Sequence, residues 1–253
     1  MTRNRILIQI QMALLAAVLT AGTACARADS ASLAIKGNDH GTPACAACHG
    51  AQGEGMTVSE FPRLAGLNAG FTTPVIGSLF RSGFPRLAGL NAGYLQTQLA
   101  AFASGQRVSA MMTPIARTMT QAEWQEMARY YAALPNSAGA SKSTTTLAKT
   151  APPDTDSAGA KLALQGRWSH ALPACVQCHG SMGVGVGSVF PALAGQSAVY
   201  LQNQLQAWQQ GTRAAGPLGL MKVIADKLSA EDIQNVAAYF AALPVSLHPK
   251  AAP

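Results

Sequence analysis

The chain has 253 residues, of which 49% are apolar but only 6% aromatic and 11% charged. This excludes a disordered, collagen-like or solenoid chain, and at about 150 residues per domain the length points to two domains. Seven Phe, five Tyr and three Trp fill two ordinary cores poorly, so something other than side chains is expected to contribute to them. The formal charge of +7 taken alone suggests nucleic acid or an anionic surface as partner.

The leader accounts for part of that charge. Arg3 and Arg5 precede an apolar run from Ile6 to Leu19, followed by Ala-x-Ala sites at Ala24/Ala26 and Ala26/Ala28. Residues 1–28 therefore read as a secretory signal peptide, and the protein as periplasmic. The run is broken by Gln9 and Gln11 and is shorter than the roughly 20 residues a membrane span requires. Lipidation at Cys25 would tether the protein peripherally to a membrane, whereas Gly22, where a lipoprotein signal carries Leu, favours loss of Cys25 with the leader. Loss of Arg3, Arg5 and Arg27 lowers the charge to +4.

The mature sequence repeats itself. Pro43-Ala-Cys-Ala-Ala-Cys-His-Gly50 returns as Pro173-Ala-Cys-Val-Gln-Cys-His-Gly180, and Phe84-Pro-Arg-Leu-Ala-Gly89 as Phe190-Pro-Ala-Leu-Ala-Gly195. Tyr94-Leu-Gln-Thr-Gln-Leu99 matches Tyr200-Leu-Gln-Asn-Gln-Leu205. Met112 to Ala116 matches Met221 to Ala225, and Tyr130 to Pro135 matches Tyr239 to Pro244. Two homologous domains are implied, over 29–135 and 158–253, joined by a linker over 136–157 that is too poor in large apolar residues to order itself.

The elements of each half read as helical. Tyr94 to Phe102 and Tyr200 to Trp208 form one pair of helices. Thr120-x-x-Glu123 and Ser229-x-x-Asp232 open a second pair as capping boxes, each stopped at Leu-Pro. Trp124, Met127, Ala128 and Tyr131 recur at helical spacing, as do Ile233, Val236, Ala237 and Phe240. Gly50 to Gly55 and Gly180 to Gly187 are expected to be loops, and no strand pattern appears.

The chemistry lies in Cys45-Ala-Ala-Cys48-His49 and Cys175-Val-Gln-Cys178-His179. Cys-x-x-Cys-His is the attachment sequence of c-type haem: one helical turn sets two thiols under the porphyrin vinyl groups and brings an imidazole to the iron. A redox-active dithiol, half a zinc site or a structural disulfide are the competing readings. Repetition of the whole constellation argues against them, as does the lack of a second ligand pair within each half. Repeat alignment selects Met112 and Met221 as sixth ligands, which would close the iron and raise its potential. Met111 is a fallback, Met119 aligns with Leu228 as core, and Met182 lies too near His179. His40 and His170 are matched but tethered close to the attachment loop, which suits a surface or propionate-bonding role. His248 reads as solvated. Arg107 and Arg213 recur in Gly-x-Arg, where either a propionate partner or a solvated surface is possible; Arg86 aligns with Ala192 and is not shared.

On these motifs, which cover nearly all of the mature sequence, the chain resembles the dihaem cytochrome c4 family of exported electron carriers. The resemblance implies an all-α protein: two tandem class I cytochrome c domains related by pseudo-twofold symmetry, each wrapped around a covalent, His/Met-ligated haem c. It also implies that a loop proline carbonyl, Pro191 in the second half and Pro62 or Pro85 in the first, accepts a hydrogen bond from the ligand imidazole. The sequence departs from the family in one place. Phe61 to Gly70 recurs unchanged as Phe84 to Gly93, a tandem copy displaced by 23 residues, which reads as a surface insertion. Continuity with the following helix favours Pro85 over Pro62.

Up to four haem propionates would offset the mature charge, which removes the case for nucleic acid. The split still matters: residues 29–135 carry a net +1 and residues 158–253 a net +3, so the two ends are expected to favour different partners. The expected function is single-electron transfer, not catalysis. The donor would be a quinol-oxidising complex or dehydrogenase, and the acceptor a terminal oxidase or reductase. The alternatives are a dihaem subunit of a catalytic complex, such as a flavocytochrome sulfide dehydrogenase, or a haem peroxidase or thiosulfate-oxidising enzyme with an open iron.

Overall fold

The computed structural model describes residues 30–55, 83–135, 155–216 and 218–244. The leader, the Phe61–Gly70 copy, most of the linker and His248 lie outside them. Helices occupy two matched sets. The first comprises α1 (30–36), α2 (Ala46–His49), α3 (Ala92–Ser104), α4 (Met112–Arg117) and α5 (Gln121–Ala133). The second comprises α6 (Ala158–Gln165), α7 (Val176–His179), α8 (Ala198–Gln209), α9 (Leu220–Ala225) and α10 (Ala230–Ala242). Among the described residues only isolated bridges occur, and no strand.

Local chemistry sets the helix ends. Thr120 and Ser229 cap α5 and α10 as expected, each closing a full capping box with Glu123 or Asp232. Both helices stop at an extended leucine, Leu134 or Leu243, held there by the proline that follows. The middle helices start two residues earlier than the repeat suggests. Asn91 accepts a bond from the Tyr94 amide and Ser197 from the Tyr200 amide, caps that the apolar pattern does not reveal. The loop after His179 contains a 3-10 turn at Ser181–Gly183.

In the first half α3 packs on α5 and α4; in the second α10 packs on α6 and α8, with α9 against α8. The α6–α10 crossing is close because Gly159 has no side chain: a Cβ there would lie 2.1 Å from the Asn235 carbonyl oxygen. Leu162, Leu172, Val236, Phe240 and Leu243 form the buried core of the second half, and Leu33, Leu90, Leu95, Met127 and Tyr131 that of the first. Met119 is buried there too, as expected for core.

The halves meet through their matched residues. Arg107 and Arg213 pair in an antiparallel bridge, with Val108 N donating to Thr212 O at 2.9 Å and Ala214 N to Gln106 O at 2.7 Å. Of the two readings open for these arginines, the solvated one is removed: they are 7% and 8% exposed. The repeat alignment could not show this, because it records matched positions but not that they face one another.

Candidate haem sites

Each Cys-x-x-Cys-His segment folds as one helical turn. His49 N donates to Cys45 O at 2.9 Å and His179 N to Cys175 O at 3.0 Å, which stacks the imidazole over the first cysteine. After the turn the chain reverses at Gly50 and Gly180. Gly55 N then donates back to His49 O and Gly185 N to His179 O, at 2.8 and 2.7 Å.

The imidazoles are held from behind. His49 Nδ1 lies 3.0 Å from Pro85 O and His179 Nδ1 2.8 Å from Pro191 O. A carbonyl only accepts, so the proton sits on Nδ1 and Nε2 keeps its lone pair for a metal. Burial pulls both histidines below their ordinary pKa, against the carbonyl bond, and so favours the neutral ring a metal ligand needs. Phe84 and Phe190 set their rings edge-on against the two imidazoles, at 6.2 and 6.0 Å between centroids. In the first half, then, the copy against His49 is Phe84-Pro85.

Burial does not favour the thiolate form at three of the four motif cysteines. Burial raises Cys45 and Cys48, and pushes Cys175 up to about 11, whereas a reactive dithiol depends on a lowered value. The four cysteines of the two motifs form no disulfide, and no cluster of three or more His, Cys, Asp or Glu forms among the described residues. The disulfide and zinc readings have no geometry behind them.

A cavity in the first half is lined by Cys45, Cys48, His49, Leu95, Met111 and Met112. Its wall continues into the second half through Tyr200, Gln204 and Arg213. Two features of the lining suit a porphyrin with acidic side arms. Tyr131, also in the lining, sets its buried hydroxyl beside the Cys45 thiol, the atom that would carry the thioether. Arg107 and Arg213 bring two buried guanidiniums to the same wall. The ion pairs among the described residues are Arg167–Asp232 and Lys222–Asp226, so neither arginine meets a carboxylate there. An apolar plate carrying anions at one edge suits that lining.

His40 and His170 are exposed, which fits the surface role and not a ligand role. Tyr131, Phe84 and Phe190 had no assigned role at the site. The repeat does carry their signal, since Tyr131 aligns with Phe240 and so marks a hydroxyl found in one half only.

Comparison with known proteins agrees with this geometry. A family model described as cytochrome C oxidase, cbb3-type, subunit III matches residues 160–240. The thiosulfate dehydrogenase electron acceptor of Stutzerimonas stutzeri (strain A1501) is 40% identical over 198 residues, 78% of this chain and 78% of that protein. Cytochrome c4 of Thiocapsa roseopersicina is 31% identical over 202 residues, 79% of this chain and 86% of that one. The chain belongs to the dihaem cytochrome c4 family. The cytochrome is thus a pair of tandem class I cytochrome c domains with two covalently bound haem c, and an electron carrier rather than an enzyme. Among solved structures, as-isolated thiosulfate dehydrogenase from Marichromatium purpuratum matches with a TM-score of 0.67 and 38% identity. That match covers 87% of this chain but only 40% of the other, so this cytochrome spans less than half of that protein.

Proposed function

We propose that the cytochrome is exported to the periplasm, takes electrons one at a time from a thiosulfate-oxidising dehydrogenase, and passes them to a terminal oxidase or reductase. The observation that carries this reading is the 40% identity to a protein named as an electron acceptor of thiosulfate dehydrogenase, against 31% to a cytochrome c4 over a similar span.

Cys45 and Cys48 anchor the first haem, and Cys175 and Cys178 the second. His49 with Met112, and His179 with Met221, hold the two irons. Pro85 and Pro191 orient the imidazoles through their carbonyls, which raises ligand basicity and fixes each ring. Haem supplies an iron that changes by a single electron, and a thioether ligand favours its reduced form. An iron held by both a histidine and a methionine would have no position open to a substrate, which suits a carrier.

The test combines a haem count, visible spectra and reduction kinetics on protein matured by a host that attaches c-type haem. Two haems per chain are expected, with the weak red Met-to-iron band lost by half in Met112→Leu and by half in Met221→Leu. Thiosulfate dehydrogenase with thiosulfate should reduce the protein rapidly. Reduction by a quinol-oxidising complex but not by that enzyme would sink the partner assignment, and a high-spin fraction in the wild type would sink the ligand assignment.

A further inference from the structure

Arg86 is the buried side chain that the repeat does not explain. It is 2% exposed, and its partner position in the second half is Ala192. One arm of its guanidinium donates to Ala88 O at 2.5 Å and the other to Ala194 O at 3.0 Å. These two carbonyls are themselves repeat mates. Ala88 lies three residues beyond Pro85 and Ala194 three beyond Pro191, in loops that bind matched partners. Ala88 N bonds Gly53 O at 3.0 Å as Ala194 N bonds Gly183 O at 3.1 Å. Gly89 N reaches Tyr131 O as Gly195 N reaches Phe240 O, both at 2.9 Å. A group bonded to two symmetry-related atoms lies at or near the symmetry axis, and an axis has room for one such group. That accounts for one arginine and one alanine in otherwise matched loops.

The backbone around it is asymmetric in the same sense. Gln196 accepts from Arg86 N at 2.9 Å and donates to Arg86 O at 3.0 Å. The mates of this pair, Leu90 and Ala192, belong to one apolar cluster instead. Burial draws the guanidinium down to about 10, which leaves it charged at neutral pH.

We propose that Arg86 is a positioning residue on the pseudo-twofold axis, which ties the two proximal-ligand loops together and holds one positive charge common to both haems. The proposal rests on His49 and His179 being the proximal ligands. A charge on the axis acts on the two irons alike, opposing oxidation at each, whereas a charge inside one half would separate their potentials.

The test is a spectroscopic redox titration of the dihaem protein as wild type, Arg86→Met and Arg86→Gln. The glutamine variant keeps a donor for one carbonyl and serves if the methionine variant does not mature. Both midpoint potentials should fall, by the same amount. A fall at one haem alone, or a loss of thermal stability with both potentials unchanged, would overturn the proposal by making Arg86 a local or purely structural group. Wild-type protein that lacks two low-spin haems would instead overturn the ligand assignment beneath it.

Discussion

Arg107 and Arg213 stand opposite each other across the junction of the two halves, and each holds the other half's tyrosine. Arg107 Nη2 donates to the Tyr200 hydroxyl at 2.8 Å and Arg213 Nη2 to the Tyr94 hydroxyl at 3.3 Å. Both arginines also share Gln98 and Gln204: Arg107 reaches them at 2.8 and 2.6 Å, and Arg213 at 2.9 and 3.0 Å. Six residues from matched positions thus form one closed network. Their positive charge faces the cavity in which the first haem's acidic edge would lie.

Removing either arginine takes the donor from one buried tyrosine hydroxyl, Tyr200 or Tyr94, a loss of about 1–3 kcal/mol. Arg107→Ala and Arg213→Ala should each lower the thermal unfolding midpoint of the dihaem protein. The double variant should lose more than the sum, because Gln98 and Gln204 each keep one arginine donor in either single variant and lose both only in the double one. Strict additivity would show that the arginines act separately. Added salt should not reproduce the effect, since the network is screened little by solvent ions.

Acid sensitivity is expected to centre on Asp232. The Arg167 guanidinium, with bonds to both carboxylate oxygens, holds it at about 2, below the ordinary 3.8, with help from the Ser229 amide. A depressed folded pKa means stability that is present above the unfolded value and lost as pH falls through the folded one. The start of α10 should therefore loosen between about pH 4 and pH 2, as followed by helical circular dichroism. Arg167→Ala should move that transition upward in pH, and an unmoved transition would assign it to other carboxylates.

The capping boxes give a matched pair of expectations. Thr120→Ala and Ser229→Ala each remove the oxygen that takes an N3 amide, at 3.2 and 3.0 Å, and each should cost about 1 kcal/mol in chemical denaturation. Glutamate or aspartate at N3 alone does not compensate, because its carboxylate is already bonded to the cap's own amide.

What the sequence disclosed was whatever the repeat and the local codes carry. The helical turns after Cys45 and Cys175, the capped helices and the apolar cores are all local patterns, so these elements were legible in the chain. The junction was not legible for a physical reason. Arg107 and Arg213 lie in an exposed-looking Gly-x-Arg, and only tertiary pairing turns a polar surface position into a buried one. Arg86 was visible as an asymmetry, but its meaning depends on Ala88 and Ala194 converging on it from loops 106 positions apart. The early starts of α3 and α8 were missed because Asn91 and Ser197 act through one side-chain oxygen each, outside the apolar periodicity.

Gly183 offers the sharpest test of how tightly the second proximal loop is packed. Its φ of +72° falls in the left-handed region, and a Cβ there would lie 2.7 Å from Phe240 Cε1. Phe240 is 2% exposed and has nowhere to retreat. Gly187 also has a positive φ, +55°, but open space where its side chain would be. Alanine at Gly187 should cost only the backbone penalty, about 1–2 kcal/mol. Alanine at Gly183 adds overpacking of roughly 1–3 kcal/mol, and it disturbs the carbonyl that receives Leu193 N and Ala194 N at 2.8 and 3.1 Å. Because that loop also carries Pro191, Gly183→Ala should shift the spectrum of the second haem while Gly187→Ala leaves it unchanged. Equal losses in the two variants, with both spectra as in the wild type, would mean that Phe240 and the loop adjust freely and that the close approach carries no weight.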